Sequence, residues 1–94
     1  MQQTSNIYSV SGKLVIATAM AQLASAYAAL KNGTEVFDFS ALEALDSTAL
    51  ALIVSCQREA ARLGKQLRCV NMPENLKNLA ALYGVENYIS TRTL

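Results

Sequence analysis

The stretch Val36-Phe-Asp-Phe-Ser-Ala-Leu-Glu-Ala-Leu-Asp-Ser-Thr-Ala-Leu50 decides how this chain folds. Val36, Phe37 and Phe39 read as a buried strand over residues 35–39. Residues 40–46 read as a loop. From about Ser47 the pattern turns apolar and helical. The loop therefore delivers Asp46, Ser47 and Thr48 to a helix entrance, where the first four backbone N–H groups have no partner inside the helix. Asp and Ser are preferred caps, each worth about 0.5–2 kcal/mol. One cap is enough, so a hydroxyl is left over for a partner or a kinase. A phosphate on Thr48 would be favoured by the helix dipole by about 0.3–1 kcal/mol. Its charge of about −2 would also repel Asp46 and any apolar partner pressed against Ala49 and Leu52.

Upstream, residues 6–10 and 13–17 read as short strands with Ser11-Gly12 as a turn between them, the pattern of an antiparallel hairpin at a sheet edge. Residues 19–31 read as a helix whose apolar face holds Met20, Leu23, Ala24, Tyr27 and Leu30, closed by Asn32-Gly33. Downstream, the central helix runs to Leu63 and stops at Gly64. A strand follows over 66–70. Pro73 suits the first turn of a further helix, with Leu76, Leu79, Ala80 and Tyr83 on one face and Gly84 at its end. Residues 85–89 read as a last strand or a turn. The expected architecture is one α/β domain spanning residues 1–94. Its sheet is mainly parallel, with four or five strands, an antiparallel edge strand and right-handed crossovers, and it carries three or more helices.

Ala49-Leu-Ala-Leu-Ile-Val54 is apolar on every side for nearly two turns. Leu50, Ile53, Val54 and Gln57 are expected to face the sheet. Ala51, Leu52 and Ser55 point elsewhere, and a helix apolar all round is normally covered all round. A partner protein is the expected cover. Further along, Arg58, Glu59, Arg62 and Lys65 read as a solvated stretch, with Arg62 and Lys65 suited to the negative end of the dipole.

Composition narrows the chemistry. The 94 residues are 52% hydrophobic and 16% charged with a net charge of +1, which describes a folded chain. No basic run is interleaved with aromatics, so no nucleic-acid footprint is expected. There is no histidine, which removes the commonest general base and metal ligand. No metal-ligand spacing occurs, and neither a catalytic residue nor a cofactor is expected. Asp38 is expected to end its strand and accept loop N–H groups. Ser11-Gly12-Lys13-Leu14 lacks the first glycine and the final hydroxyl of a phosphate-binding loop. Cys56 and Cys69 read as buried, reduced thiols, which suits a reducing compartment. The apolar run after Lys13 has no basic segment before it, unlike a secretory signal, and no segment is long enough to cross a membrane.

The run Asp38 to Leu50 resembles the signature of STAS domains, the family of sulphate-transporter and anti-sigma-factor-antagonist domains. There a strand ending in Asp-Leu-Ser leads through a short loop to Asp-Ser-Ser-Gly-Leu or Asp-Thr-Gly-Gly-Leu. The expected element order suits that fold over nearly the whole chain. Leu50-Ala-Leu-Ile and Leu79-Ala-Ala-Leu-Tyr-Gly-Val85 further resemble the MlaB-like branch. The resemblance implies a non-enzymatic, cytoplasmic accessory subunit. It would bind the ATPase of an ABC-type phospholipid transporter that maintains outer-membrane lipid asymmetry, and would reach the inner face of the inner membrane only through that partner. Asp46, Ser47, Thr48, Ala51, Leu52 and Ser55 would form the partner contact, with Ser47 at the position of the contact-making Thr. The alternative that the family offers is an anti-sigma-factor antagonist phosphorylated on Thr48. Ala49 stands where a glycine commonly follows the hydroxyl pair, and its methyl limits how closely another backbone can approach.

Overall fold

A computed structural model describes residues 7–84. Five strands and three α-helices follow in the order β1 (Ile7–Ser9), β2 (Gly12–Leu14), a 3-10 turn (Ile16–Thr18), α1 (Ala19–Lys31), β3 (Val36–Asp38), β4 (Leu42–Leu45), α2 (Thr48–Arg62), β5 (Arg68–Val70) and α3 (Glu74–Leu82). Residues 85–89 lie outside the described residues.

The strands form two parallel sheets. One has the order β1-β3-β5, with Tyr8 opposite Phe37 and Phe37 opposite Cys69. The other pairs β2 with β4, Leu14 opposite Leu45. The expected antiparallel hairpin of the first two strands is therefore corrected: β1 pairs with β3 and β2 with β4, both parallel. Gly12 does take a positive φ of 75°, as a turn glycine would. It does so as the first residue of β2, where the register shifts, and not at a hairpin tip. One left-handed residue kinks a strand and lets its continuation find a second partner.

That second partner is β4, in the segment expected to be loop. Leu42-Glu-Ala-Leu45 carries two residues of low strand propensity, Glu and Ala, and pairing with β2 overrides them. The expected strand over 13–17 is likewise cut short, because the chain turns into the 3-10 turn after Val15.

The core is continuous. Val10, Leu14, Phe37 and Phe39 from the strand segments meet Leu30 of α1, Leu50, Leu52, Ile53 and Cys56 of α2, and Leu76 of α3. Phe37 lies fully buried in the middle strand, its ring 5.3 Å from that of Tyr8 and tilted by 57°. Both cysteines are free and buried. Burial pushes each thiol up to about 12, and for Cys56 the neighbouring Cys69 adds to the shift.

Helix α2 packs against α1 on one side and α3 on another. The cover expected from a partner is thus supplied in large part by the chain itself. Leu52, expected to point outward, is only 5% exposed and lines a groove with Ala19, Met20 and Leu23 of α1. Lys65 also departs from the expected solvated stretch. Its ammonium donates to the Leu30 carbonyl at 2.7 Å, at the negative end of α1. Glu59 and Arg62 do form an i,i+3 ion pair at 2.5 Å on the surface of α2. No helix among the described residues is long and apolar enough to cross a membrane.

Candidate functional site

Asp46 is the residue around which the entrance to α2 is built. Its Oδ1 accepts the Thr48 backbone N–H at 2.8 Å and the Thr48 hydroxyl as well. Its Oδ2 accepts the backbone N–H of Ile16 at 3.1 Å, thirty residues away in the chain. Its own N–H donates to the Leu14 carbonyl at 3.2 Å. Ser47 occupies the formal N-cap position but makes no side-chain cap bond. The capping that sequence assigned to Asp46 or Ser47 is therefore done by Asp46, and the charge-assisted acceptor also suits the positive helix end.

The bond from the Thr48 hydroxyl, followed by those from the backbone N–H groups, holds the Asp46 carboxyl below the usual carboxylate range. Asp38 is held low by the Asn71 amide at 3.0 Å and then by the Ser40 N–H at 2.9 Å. Asp38 thus ends β3 and ties down the following loop, as its sequence position implies.

These shifts define a pH profile. A carboxyl whose folded pKa is depressed contributes stability that is complete above the unfolded value and is lost as pH falls through the folded value. The thiols act in the opposite sense, since unfolded Cys ionises near 8.5–9 and the buried thiols do not. No histidine titrates between these limits. Unfolding free energy measured by urea titration is expected to be flat from about pH 5 to 8 and to fall below about pH 4. Above about pH 9 it should fall by about 1.4 kcal/mol per pH unit for each thiol. A profile that kept rising past pH 9 would contradict the buried thiols.

The six residues expected at the site divide into three groups. Ser47 and Ala51 are exposed, and Thr48 and Ser55 are half-buried on the same stripe of α2. Asp46 is engaged within the chain, and Leu52 is core. The stripe forms a ridge between two shallow grooves. One groove runs toward α1, with Met20 and Thr48 among its lining residues and Leu52 within it. The other runs toward Tyr83, past Val54 and Arg58. Ala51 and Ser55 line both.

Sequence reasoning missed the outer walls of those grooves. Met20 is 81% exposed and Tyr83 59% exposed, although periodicity placed each on a buried face; Ile16 and Leu82 stand out beside them. Helical spacing brings Met20 into line with Leu23 and Tyr27 but cannot reveal where the neighbouring element ends. The available signal was the apolar pair Val15-Ile16, which runs on after β2 has stopped. Among the described residues no group of His, Cys, Asp and Glu could hold a metal ion.

A family model described as "MlaB, STAS domain" matches residues 2–91. No curated protein matches in sequence. Among solved structures, the unphosphorylated form of the anti-sigma factor antagonist SpoIIAA is similar in fold, with a TM-score of 0.69 and 15% identity over 98% of this chain and 85% of that one. The phosphorylated form of SpoIIAA, the Bacillus cell fate determinant, gives a TM-score of 0.65 and 14% identity over 98% and 88%. The family model spans almost the full length, and the fold is shared with SpoIIAA: the chain belongs to the STAS domain family.

Proposed function

We propose that this STAS domain is a non-enzymatic accessory subunit that docks on the ATPase of an ABC-type phospholipid transporter, of the kind that maintains outer-membrane lipid asymmetry. It would be cytoplasmic and held at the membrane only through that partner. The observation that carries the reading is the ridge of exposed Ser47 and Ala51 and half-buried Ser55, set between two grooves with the side chains of Met20 and Tyr83 standing free at their rims. Small residues on a ridge allow close approach of a partner helix or loop, and large apolar residues at the rim supply burial when it arrives. The family model's MlaB description supports the choice of partner.

A second reading is an anti-sigma-factor antagonist switched by phosphorylation of Thr48. Its support is the fold shared with SpoIIAA, a protein solved both with and without phosphate. Against it stands the Thr48 hydroxyl, which is already bonded to Asp46 and half-buried.

Ala51→Arg separates docking from folding. Ala51 is an exposed helix position, where Arg is well tolerated, so stability should move by less than about 0.5 kcal/mol. A charge pressed into the centre of an interface should lower affinity for the ATPase subunit about 100-fold or more, equivalent to about 2.7 kcal/mol. Quantitative co-purification checks this. An undiminished complex would remove the ridge from the interface, and capture of a serine kinase in place of the ATPase would favour the second reading.

A further inference from the structure

Asp46 differs from the other five expected contact residues because its carboxylate bonds within the chain at two separate places. Oδ1 holds Thr48, at the first turn of α2, through both the amide and the hydroxyl. Oδ2 holds the Ile16 N–H, at the head of the 3-10 turn. That turn leads directly into α1, so its end sets the position of Ala19 and Met20 on the far side of the groove from Thr48 and Ala51. Gln22 of α1 donates to the Ser11 and Lys13 carbonyls, and the Asp46 N–H donates to Leu14, which secures the flanking segments; among the described residues the Asp46 carboxylate is what bonds the head of the turn itself to the entrance of α2. The Thr18 hydroxyl bonds to the Lys13 and Val15 carbonyls, which fixes the turn onto its own preceding strand but not onto α2. The Ile16 side chain is 77% exposed and contributes little packing there.

We infer that Asp46 is a positioning residue: its carboxylate is the joint that holds the Ile16–Met20 wall at a fixed distance from the α2 ridge, so that the two sides of the groove meet a partner as one rigid surface. This rests on the docking reading above and deepens it. The partner's footprint would extend past the Asp-Ser-Thr motif to Ile16 and Met20, and Asp46 would govern affinity without touching the partner. The occupant is the same ATPase subunit, because the groove is continuous with the ridge: Ala51 and Ser55 belong to both. A preorganised wall contributes to affinity by removing the ordering cost that a loose turn would impose on binding.

Two variants test the joint. Asp46→Asn keeps one acceptor oxygen but puts an amide donor where one of the two acceptors stood, so it cannot serve both Thr48 and Ile16. Ile16→Pro removes only the donor at the other end. Proline suits the first position of a helical turn, and the preceding Val15 is already extended at φ −130° and ψ 173°. Ile16→Ala is its control, since it loses the same side chain but keeps the N–H.

Hydrogen exchange at the Thr18 and Ala19 amides reports the turn, because these donate to the Val15 and Ile16 carbonyls. Exchange there should quicken at least tenfold in Asp46→Asn relative to the unaltered chain, and in Ile16→Pro relative to Ile16→Ala, while the Ile53 amide in the middle of α2 keeps its protection. Affinity for the ATPase subunit should fall about tenfold in the same two comparisons. If Asp46→Asn does not fold, the Ile16 pair alone decides. Unchanged exchange at Thr18 and Ala19 would overturn the joint whatever the partner is. Faster exchange with unchanged ATPase affinity would overturn its role in docking. Loss of binding in Asp46→Asn when Ala51→Arg still binds would overturn the ridge instead and leave the joint standing.

Discussion

Leu52→Arg is expected to unfold the domain, although its neighbour Ala51→Arg is expected to leave it folded. Successive helix residues point about 100° apart, and here that angle separates solvent from core. Leu52 is 5% exposed and belongs to the central cluster. The substitution loses the burial of a leucine, about 1.5–3 kcal/mol. It also places a guanidinium in a groove whose side chains include no carboxylate and only two hydroxyls, those of Thr48 and Ser55, too few to satisfy its five donors. Burying an unpaired charge costs several kcal/mol more. Together these approach the whole stability of a chain of 94 residues, roughly 5–14 kcal/mol at 0.05–0.15 kcal/mol per residue. Far-UV circular dichroism and a proton–nitrogen correlation spectrum should show loss of tertiary structure at 25 °C. A cooperative transition at the melting temperature of the unaltered chain would show that the groove opens far enough for the guanidinium to reach water. The consequence for function is practical: loss of a complex on changing Leu52 reports folding, whereas loss on changing Ala51 reports docking.

The contrast between these two positions also marks how far the sequence could be read. Element order was legible because its signals are local. Val36, Phe37 and Phe39 read as buried chain, the 13-residue span of α1 has clean punctuation at Asn32-Gly33, and α2 ends one residue from its expected limit. The Asp-Ser-Thr entrance was legible for the same reason, since capping chemistry is written within three residues. What failed depended on distant partners. Leu42–Leu45 is a strand because β2 lies beside it, and Ser11-Gly12 is a kink because β3 offers β1 a parallel neighbour. Leu52 is buried because α1 crosses over it, and Lys65 is a helix cap because the end of α1 arrives there. The bond from Ile16 to Asp46 spans thirty residues and leaves no periodic trace in either segment. A helix entrance apolar on all sides did signal deep burial for Leu50, Leu52 and Ile53, which the chain covers itself, but it gave no sign that Ala51 is left exposed.

Phe37→Ala should be the most destabilising apolar truncation outside the docking face. Phe37 is fully buried in the middle strand, paired on one side with β1 and on the other with β5. Truncating such a phenylalanine costs about 3–5 kcal/mol, through lost transfer energy and the cavity left behind. The tilted pairing with Tyr8 at 5.3 Å is lost with it. At about 4–8 °C per kcal/mol for a domain of this size, melting should fall by roughly 12–40 °C. The loss is thermodynamic and not a loss of contact, since Phe37 lines neither groove. A partner that binds only the folded state adds back about 2.7 kcal/mol at 100 times its dissociation constant. Excess ATPase subunit should therefore recover much of the Phe37→Ala complex, while the same excess should recover Ala51→Arg only in proportion to its weakened affinity, with no gain in the melting temperature of the free domain. Thermal melts of both variants with and without the ATPase subunit measure this directly. If Phe37→Ala resisted rescue as Ala51→Arg does, the middle strand would have to shape the docking face itself, and the separation of core from ridge would fail.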